Sequence, residues 1–316
     1  MSIMHDLVFY FCKKGKRRYR SGEKQDYPAR RRQEVKQNRF ATPPKSVDLR
    51  QVALGGVAVE TLCQPRNPRD RVVLYLHGGG FVVGSARTRR MFTGYLAGKL
   101  GYNVVAPEYR LAPEHPFPAA PEDCFAVYRA LLKTYAPDRI VLLGESAGGN
   151  LVLSVLLQIK AAGLPMPAAG LCIAPCVQFD QTLASYTENQ GTEAMVDHLS
   201  EEVFDTYLCS RAPRVVQNPL AAPYYGDFSG CPPICLWASE SEVLRDDSLM
   251  LFQKLKAAGH PCRLYLRRGM IHTWLIIPCI PEAKKDLHTL KRCLDGAMDG
   301  TLKGCDVPIH LENCHE

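Results

Sequence analysis

The twelve residues RIVLLGESAGGN, positions 139–150, decide how this chain folds. Residues 139–143 are β-branched and leucine-rich, the composition of a strand buried on both faces. They feed directly into Gly144-Glu145-Ser146-Ala147-Gly148, and residues 150–161 then read as an apolar helix. Strand, five-residue turn and helix together fit the G-x-S-x-G nucleophile elbow, in which a serine hydroxyl stands clear of the sheet. Glycines two residues before and after the serine let the chain turn without Cβ collisions. The helix that opens at the turn offers N-terminal amides to developing negative charge. The context confirms what five residues alone would not.

The neighbouring sequence repeats the strand–helix alternation. Residues 47–54 and 57–63, split by Gly55-Gly56, predict a hairpin, and 71–76 a buried strand ending in His77-Gly78-Gly79-Gly80-Phe81. Further strands are expected at 103–106, 168–174, 234–238 and 263–266, with helices at 87–100, 121–134, 249–258 and 283–294. This order implies an α/β protein with a mostly parallel, eight-stranded sheet covered by helices on both faces. Residues 178–232 are too long for a simple connection and read as an inserted helical cap. The expected division is an N-terminal cap segment at 1–45, a core at 46–177 and 233–316, and the inserted cap at 178–232.

With 316 residues, 46% hydrophobic and 22% charged, the chain can bury one large core. No apolar run reaches the roughly 18 residues of a membrane span, and no transmembrane segment is expected. The apolar stretch at 7–12 is too short for a signal-peptide core and lacks a small-residue cleavage site, so export is not expected. Thirteen cysteines, an odd number without C-x-x-C spacing, oppose both a closed disulfide framework and a structural zinc site. Several, such as Cys172 and Cys235, lie in apolar runs and read as small hydrophobes. The reading is a reduced, cytoplasmic protein without metal. The net charge of +7 is concentrated between positions 13 and 39, where twelve Lys and Arg face three acids. A nucleic-acid or anionic-membrane arm would use such charge, but the stretch lacks the aromatic interleaving of a nucleic-acid module, and a solvated helix in a lid is the plainer reading.

A serine nucleophile needs a base, an acid and an oxyanion hole. The amides of Gly78, Gly79 and Gly80, joined by that of Ala147, are the candidate oxyanion donors; which two glycines point inward is left open. Among nine histidines, His272 follows the last strand of the alternating series and lies downstream of every acid candidate, as the chain order serine, acid, histidine requires. His77 and His115 sit inside loop motifs and read as structural. The acid lies in Ser239-Glu240-Ser241-Glu242-Val243-Leu244-Arg245-Asp246-Asp247, just past a strand end. Glu242 is the first choice, Asp246 the runner-up and Glu240 the third, while Asp246 and Asp247 also suit helix capping.

Taken together, HGGGF at 77–81, YRLAPEHPFPAA at 109–120, GESAGGN at 144–150, EVLRDD at 242–247 and the His272 segment resemble the hormone-sensitive-lipase family of α/β-hydrolases, the bacterial family IV esterases. The resemblance covers about residues 45–295 in the right order. It implies Ser146 as nucleophile, His272 as base, the 78–80 amides with Ala147 as oxyanion hole, and no cofactor. It also implies a cap built from the N-terminal segment and an insertion after the sixth strand, short to medium acyl chains, and leaves a homodimer open. The family usually carries aspartate then proline where this chain has Glu242-Val243. Segment 109–120 is expected to support the floor of the site, with Asp123 as a loop anchor.

The expected activity is a serine carboxylesterase acting on short- to medium-chain, acetyl-like esters of small molecules through an acyl-enzyme. A transacylase or amidase would use the same acyl-enzyme with another acceptor. A non-catalytic small-molecule receptor on the same scaffold would typically have lost part of the triad, which is complete here. No nucleic-acid partner is expected.

Overall fold

The computed structural model describes residues 1–16, 25–179, 182–196 and 201–313. Residues 17–24 of the basic stretch, parts of the expected cap, Cys314 and His315 lie outside the described residues. Two helices, α1 (Ile3–Lys16) and α2 (Tyr27–Gln37), precede the hairpin β1 (Asp48–Leu54) and β2 (Val57–Cys63). Then follow β3 (Val72–Leu76), α3 (Arg90–Tyr95), β4 (Asn103–Pro107), α4 (Ala119–Leu131), β5 (Ile140–Glu145), α5 (Ala147–Ala161) and β6 (Ala169–Ile173). Three short helices, α6 (Ser185–Glu188), α7 (Glu201–Leu208) and α8 (Pro213–Val216), form a cap region before β7 (Ile234–Ser239). The chain closes with α9 (Arg245–Ala257), β8 (Cys262–Arg267), α10 (Pro281–Met298) and β9 (Ile309–His310).

The strands form one sheet in the order β1-β2-β4-β3-β5-β6-β7-β8-β9. Only the pairings of β2 with β1 and β4 are antiparallel. Side chains alternate across the strands, so each strand feeds two cores. Val72, Leu74 and Leu76 of β3, with Ile140 and Leu142 of β5, pack beneath α4, α5 and α9. Val73, Tyr75, Val141 and Leu143 face the other side, where α10 contributes Ala283, Leu287, Leu290, Leu294 and Ala297 at helical spacing.

Two expectations change. The sheet has nine strands among the described residues rather than eight, because Tyr265 and Leu266 of β8 pair with Ile309 and His310. A two-residue strand carries no periodicity, so only its pairing reveals it. The helix expected at 87–100 is three pieces: a 3₁₀ turn at Arg87–Arg89, α3, and a π-helical turn at Leu96–Leu100. Side chains of Gln64 and Arg66 donate to the Gly98 carbonyl and Asn67 donates to that of Ala97. These bonds take up carbonyls of the π-helical turn that the helix ladder leaves free. Among the described residues no helix is long and apolar enough to cross a membrane, and no group of three His, Cys, Asp or Glu side chains could hold a metal ion.

Candidate active site

The site is built where the parallel strands end. β5 delivers Ser146, which caps α5 with φ 55° and ψ −121°. A non-glycine residue adopts such a backbone only when its surroundings enforce it. Here the enforcement is close packing: a Cβ on Gly144 would lie 2.3 Å from the Gly148 carbonyl oxygen, and one on Gly148 would lie 2.0 Å from that of Leu76. The elbow therefore seats α5 directly on β3, and both glycines are obligatory. The Ser146 amide donates to Ile173 of β6 at 2.8 Å, pinning the turn to the neighbouring strand.

The glycine loop at the end of β3 lies beside this serine; a Cβ on Gly78 would come within 3.1 Å of Ser146 Cβ. Glu145, buried in the elbow, holds the loop from below. Its Oε1 accepts from the Gly78 amide at 2.6 Å and from Arg89 Nε at 2.7 Å, and its Oε2 from the Tyr75 hydroxyl at 2.5 Å. The Gly78 N–H is thus engaged, whereas among the described residues the amides of Gly79, Gly80 and Ala147 donate to no protein acceptor. Sequence reasoning quoted Glu145 without a role. The available signal was a carboxylate at the end of a wholly apolar strand, which must be paired when buried. His77 stacks on Tyr109 at 4.1 Å, and its carbonyl accepts from the Tyr109 hydroxyl at 2.6 Å. Burial pulls the His77 pKa down to about 3, so this ring is a neutral structural element.

β7 and β8 deliver the other two residues. His272 Nδ1 and Glu242 Oε2 are 2.5 Å apart, with Glu242 fully buried and His272 4% exposed. Glu242 Oε1 accepts from the Ser239 amide at 2.6 Å, so both carboxylate oxygens are engaged. The two loops are stitched together by Ser239, whose hydroxyl donates to the Met270 carbonyl at 2.6 Å. Burial opposes a charge on His272, but the hydrogen bond and charge of Glu242 outweigh it and hold the imidazole pKa above its ordinary value. His272 Nε2 is buried without a hydrogen-bond partner among the described residues. His5 and His77 also keep a buried Nε2 without such a partner, so what sets His272 apart is the pairing of its Nδ1 with a fully buried carboxylate.

A family model described as alpha/beta hydrolase fold matches residues 73–276. An acetyl-hydrolase of Streptomyces hygroscopicus is 35% identical over 84% of this chain and 87% of its own length. A carboxylesterase of Mycobacterium tuberculosis, NlhH, is 33% identical over 71% of this chain and 74% of its own. A crystal structure of an esterase from the bacterial hormone-sensitive lipase family superposes with a TM-score of 0.85 at 33% identity, covering 95% of this chain and 99% of that one. The chain belongs to the bacterial hormone-sensitive-lipase, or family IV, esterases of the α/β-hydrolase superfamily. It is a hydrolase of the esterase type acting on small-molecule esters.

As in other α/β-hydrolases, the three residues sit outside the carboxyl ends of the strands, where parallel sheets place their sites. This family IV member holds Glu242, not Asp246, against the histidine. Asp246 is taken up by Arg245 Nε at 2.7 Å and by the Ser185 amide at 2.8 Å. Glu240 faces Arg268 at 3.2 Å and His310 at 3.1 Å. Asp247 accepts from the Val177 amide and the Tyr186 hydroxyl, and burial raises its pKa to about 7. Asp123 receives the Arg110 amide at 2.9 Å and its guanidinium at 3.0 Å, anchoring the loop as expected.

The cap region closes on the glycine loop. Tyr207 of α7 stacks on Phe81 at 3.8 Å, and a Cβ on Gly80 would meet Val203 Cγ1 at 3.0 Å. The basic N-terminal segment is not wholly solvated: Arg31 of α2 donates to the Val82 carbonyl at 2.7 Å and pairs with Glu114 at 2.9 Å, while Glu34 accepts from the Gly84 amide at 3.1 Å. Another residue missed from sequence is Glu193, buried in the cap region, which accepts from the Val243 amide beside Glu242.

Proposed function

We propose that this chain is a serine carboxylesterase that hydrolyses short- to medium-chain, acetyl-like esters of small molecules through an acyl-enzyme. The observation that carries the reading is the buried His272–Glu242 bond, with an unpartnered Nε2, at the same carboxyl end of the strands as the strained Ser146. In the proposed first step His272 Nε2 takes the Ser146 proton while Oγ attacks the ester carbonyl carbon. The carbonyl oxygen becomes an oxyanion bound by amides from Gly79, Gly80 and Ala147, each donor worth about 10²–10³ in rate. As the tetrahedral centre collapses, the C–O bond to the alcohol breaks and the imidazolium returns its proton to the departing oxygen. Water, deprotonated by the same nitrogen, then attacks the acyl carbon; the bond to Ser146 Oγ breaks, the imidazolium returns its proton to Oγ, and the acid is released. Glu242 holds the Nδ1–H tautomer throughout and stabilises the imidazolium.

Support for small groups comes from the aromatic cover that Tyr207 and Phe81 form beside the glycine loop and from the similarity to an acetyl-hydrolase. The test is hydrolysis of p-nitrophenyl esters from acetate to laurate by wild type and Ser146→Ala. Activity that falls with chain length and disappears in the variant is expected. Undiminished hydrolysis by pure, folded Ser146→Ala would overturn the proposal, and acyl transfer to an added alcohol in preference to water would favour the transacylase.

A further inference from the structure

Helix α1 is amphipathic twice over. Its inner face seats His5, Val8, Phe9 and Cys12 on the core beneath α10. The Ser2 hydroxyl donates to Glu282 at the start of α10 at 2.7 Å, and Lys13 Nζ donates to the Gly191 carbonyl in the cap region at 3.0 Å. These ties fix the helix to the body of the protein. The opposite face is also apolar yet faces solvent: Ile3 is 89% exposed, Leu7 48%, Tyr10 59% and Phe11 60%. Their spacing of four, seven and eight residues lines them along one stripe, which Met4 widens. A contiguous apolar stripe of this kind on a protein surface marks an interaction site.

Charge identifies what would cover it. Lys13 and Lys14 stand at the end of the stripe, and ten further basic residues follow between positions 16 and 39. A second copy docking in parallel through the same face would bring two such basic ends together, whereas an anionic lipid surface complements the whole basic run. Apolar side chains entering the acyl boundary beside lysines among the headgroups is the arrangement of an interfacial helix. No described helix is long and apolar enough to cross a membrane, so the helix would lie on the surface rather than span it.

We propose that the outer face of α1 docks this esterase on anionic membranes. Its anchor points on the cap region and on α10, the helix after the His272 loop, would bring that end of the molecule to the lipid. The test is sedimentation of the full chain with vesicles of phosphatidylcholine alone or with 30% phosphatidylglycerol, a proportion of about one anionic lipid in three chosen to give a clear surface potential. Wild type is expected to bind the anionic vesicles, to lose at least about tenfold in partition in 0.5 M salt, because screening removes the headgroup attraction, and to lose as much in Leu7→Glu/Phe11→Glu. Both positions are exposed, so the double variant should keep wild-type hydrolysis of a soluble p-nitrophenyl ester and a wild-type circular dichroism spectrum. Lys14→Glu should weaken anionic binding without affecting folding. Failure of wild type to bind anionic vesicles, or equal binding by the folded double variant, would overturn the proposal. So would a wild-type dimer that becomes monomeric in the double variant without any vesicle binding, since a second copy would then occupy the stripe.

Discussion

Replacing Glu242 by glutamine keeps the shape of the buried side chain and removes its charge, so the consequences can be followed atom by atom. Both carboxylate oxygens accept now, one from the Ser239 amide at 2.6 Å and one from His272 Nδ1 at 2.5 Å. Glutamine has one oxygen and one NH₂. With the oxygen toward Ser239, the NH₂ donates to Nδ1 and forces the proton onto Nε2, the nitrogen proposed to accept from Ser146. With the oxygen toward His272, the NH₂ opposes the Ser239 N–H in a fully buried place, at a cost of about 1–3 kcal/mol. The competent tautomer is therefore suppressed by about 5- to 150-fold, and the imidazolium loses its counter-charge in the transition state as well. Together these predict a fall in kcat of about 10³–10⁴. The pH profile gives an independent check. In the proposed mechanism His272 must be neutral to act as base, and its pKa is raised, so wild-type kcat/KM should fall as pH drops through a value above about 6.5. In the variant burial acts without the adjacent carboxylate, and the acid limb should move to lower pH. Steady-state ester hydrolysis across pH, on protein shown to be folded by circular dichroism, measures both. A variant within about tenfold of wild type with an unmoved acid limb would refute the assignment of Glu242.

Asp246→Asn should retain activity within about fivefold, because this carboxylate serves Arg245 and the Ser185 amide rather than His272; a loss as deep as that of the Glu242 variant would exchange their roles. Glu145→Ala leaves Arg89, the Gly78 amide and the Tyr75 hydroxyl without their acceptor, and should lower unfolding free energy by about 3 kcal/mol or more in urea titration. Gly148→Ala places a methyl 2.0 Å from the Leu76 carbonyl oxygen. Overpacking by a side chain costs about 1–3 kcal/mol when the core can yield; here the obstacle is backbone, so a larger loss, read as lowered Tm or insoluble protein, is expected.

What the sequence determined by itself was everything carried by local pattern. The buried strand at 139–143, the glycine-flanked serine and the apolar helix after it are consecutive residues whose hydrophobicity and steric needs are legible in order. The same holds for the parallel strands. Tertiary structure decided the questions of partnership between distant segments. Glu242, Asp246 and Glu240 are chemically alike and lie within seven positions of one another, so the sequence could put Glu242 first without separating it from the others; the side chain facing His272 emerges only when β7 and β8 pair and Ser239 joins their loops. Gly78 is set apart from Gly79 and Gly80 as a donor because Glu145 reaches its amide. The ninth strand exists through pairing alone, and the carbonyls in the last turn of the 87–100 segment are captured by side chains from 64–67. Hydrophobic period is a property of neighbours along the chain, whereas a hydrogen bond between segments thirty residues or more apart depends on how the whole sheet brings them together.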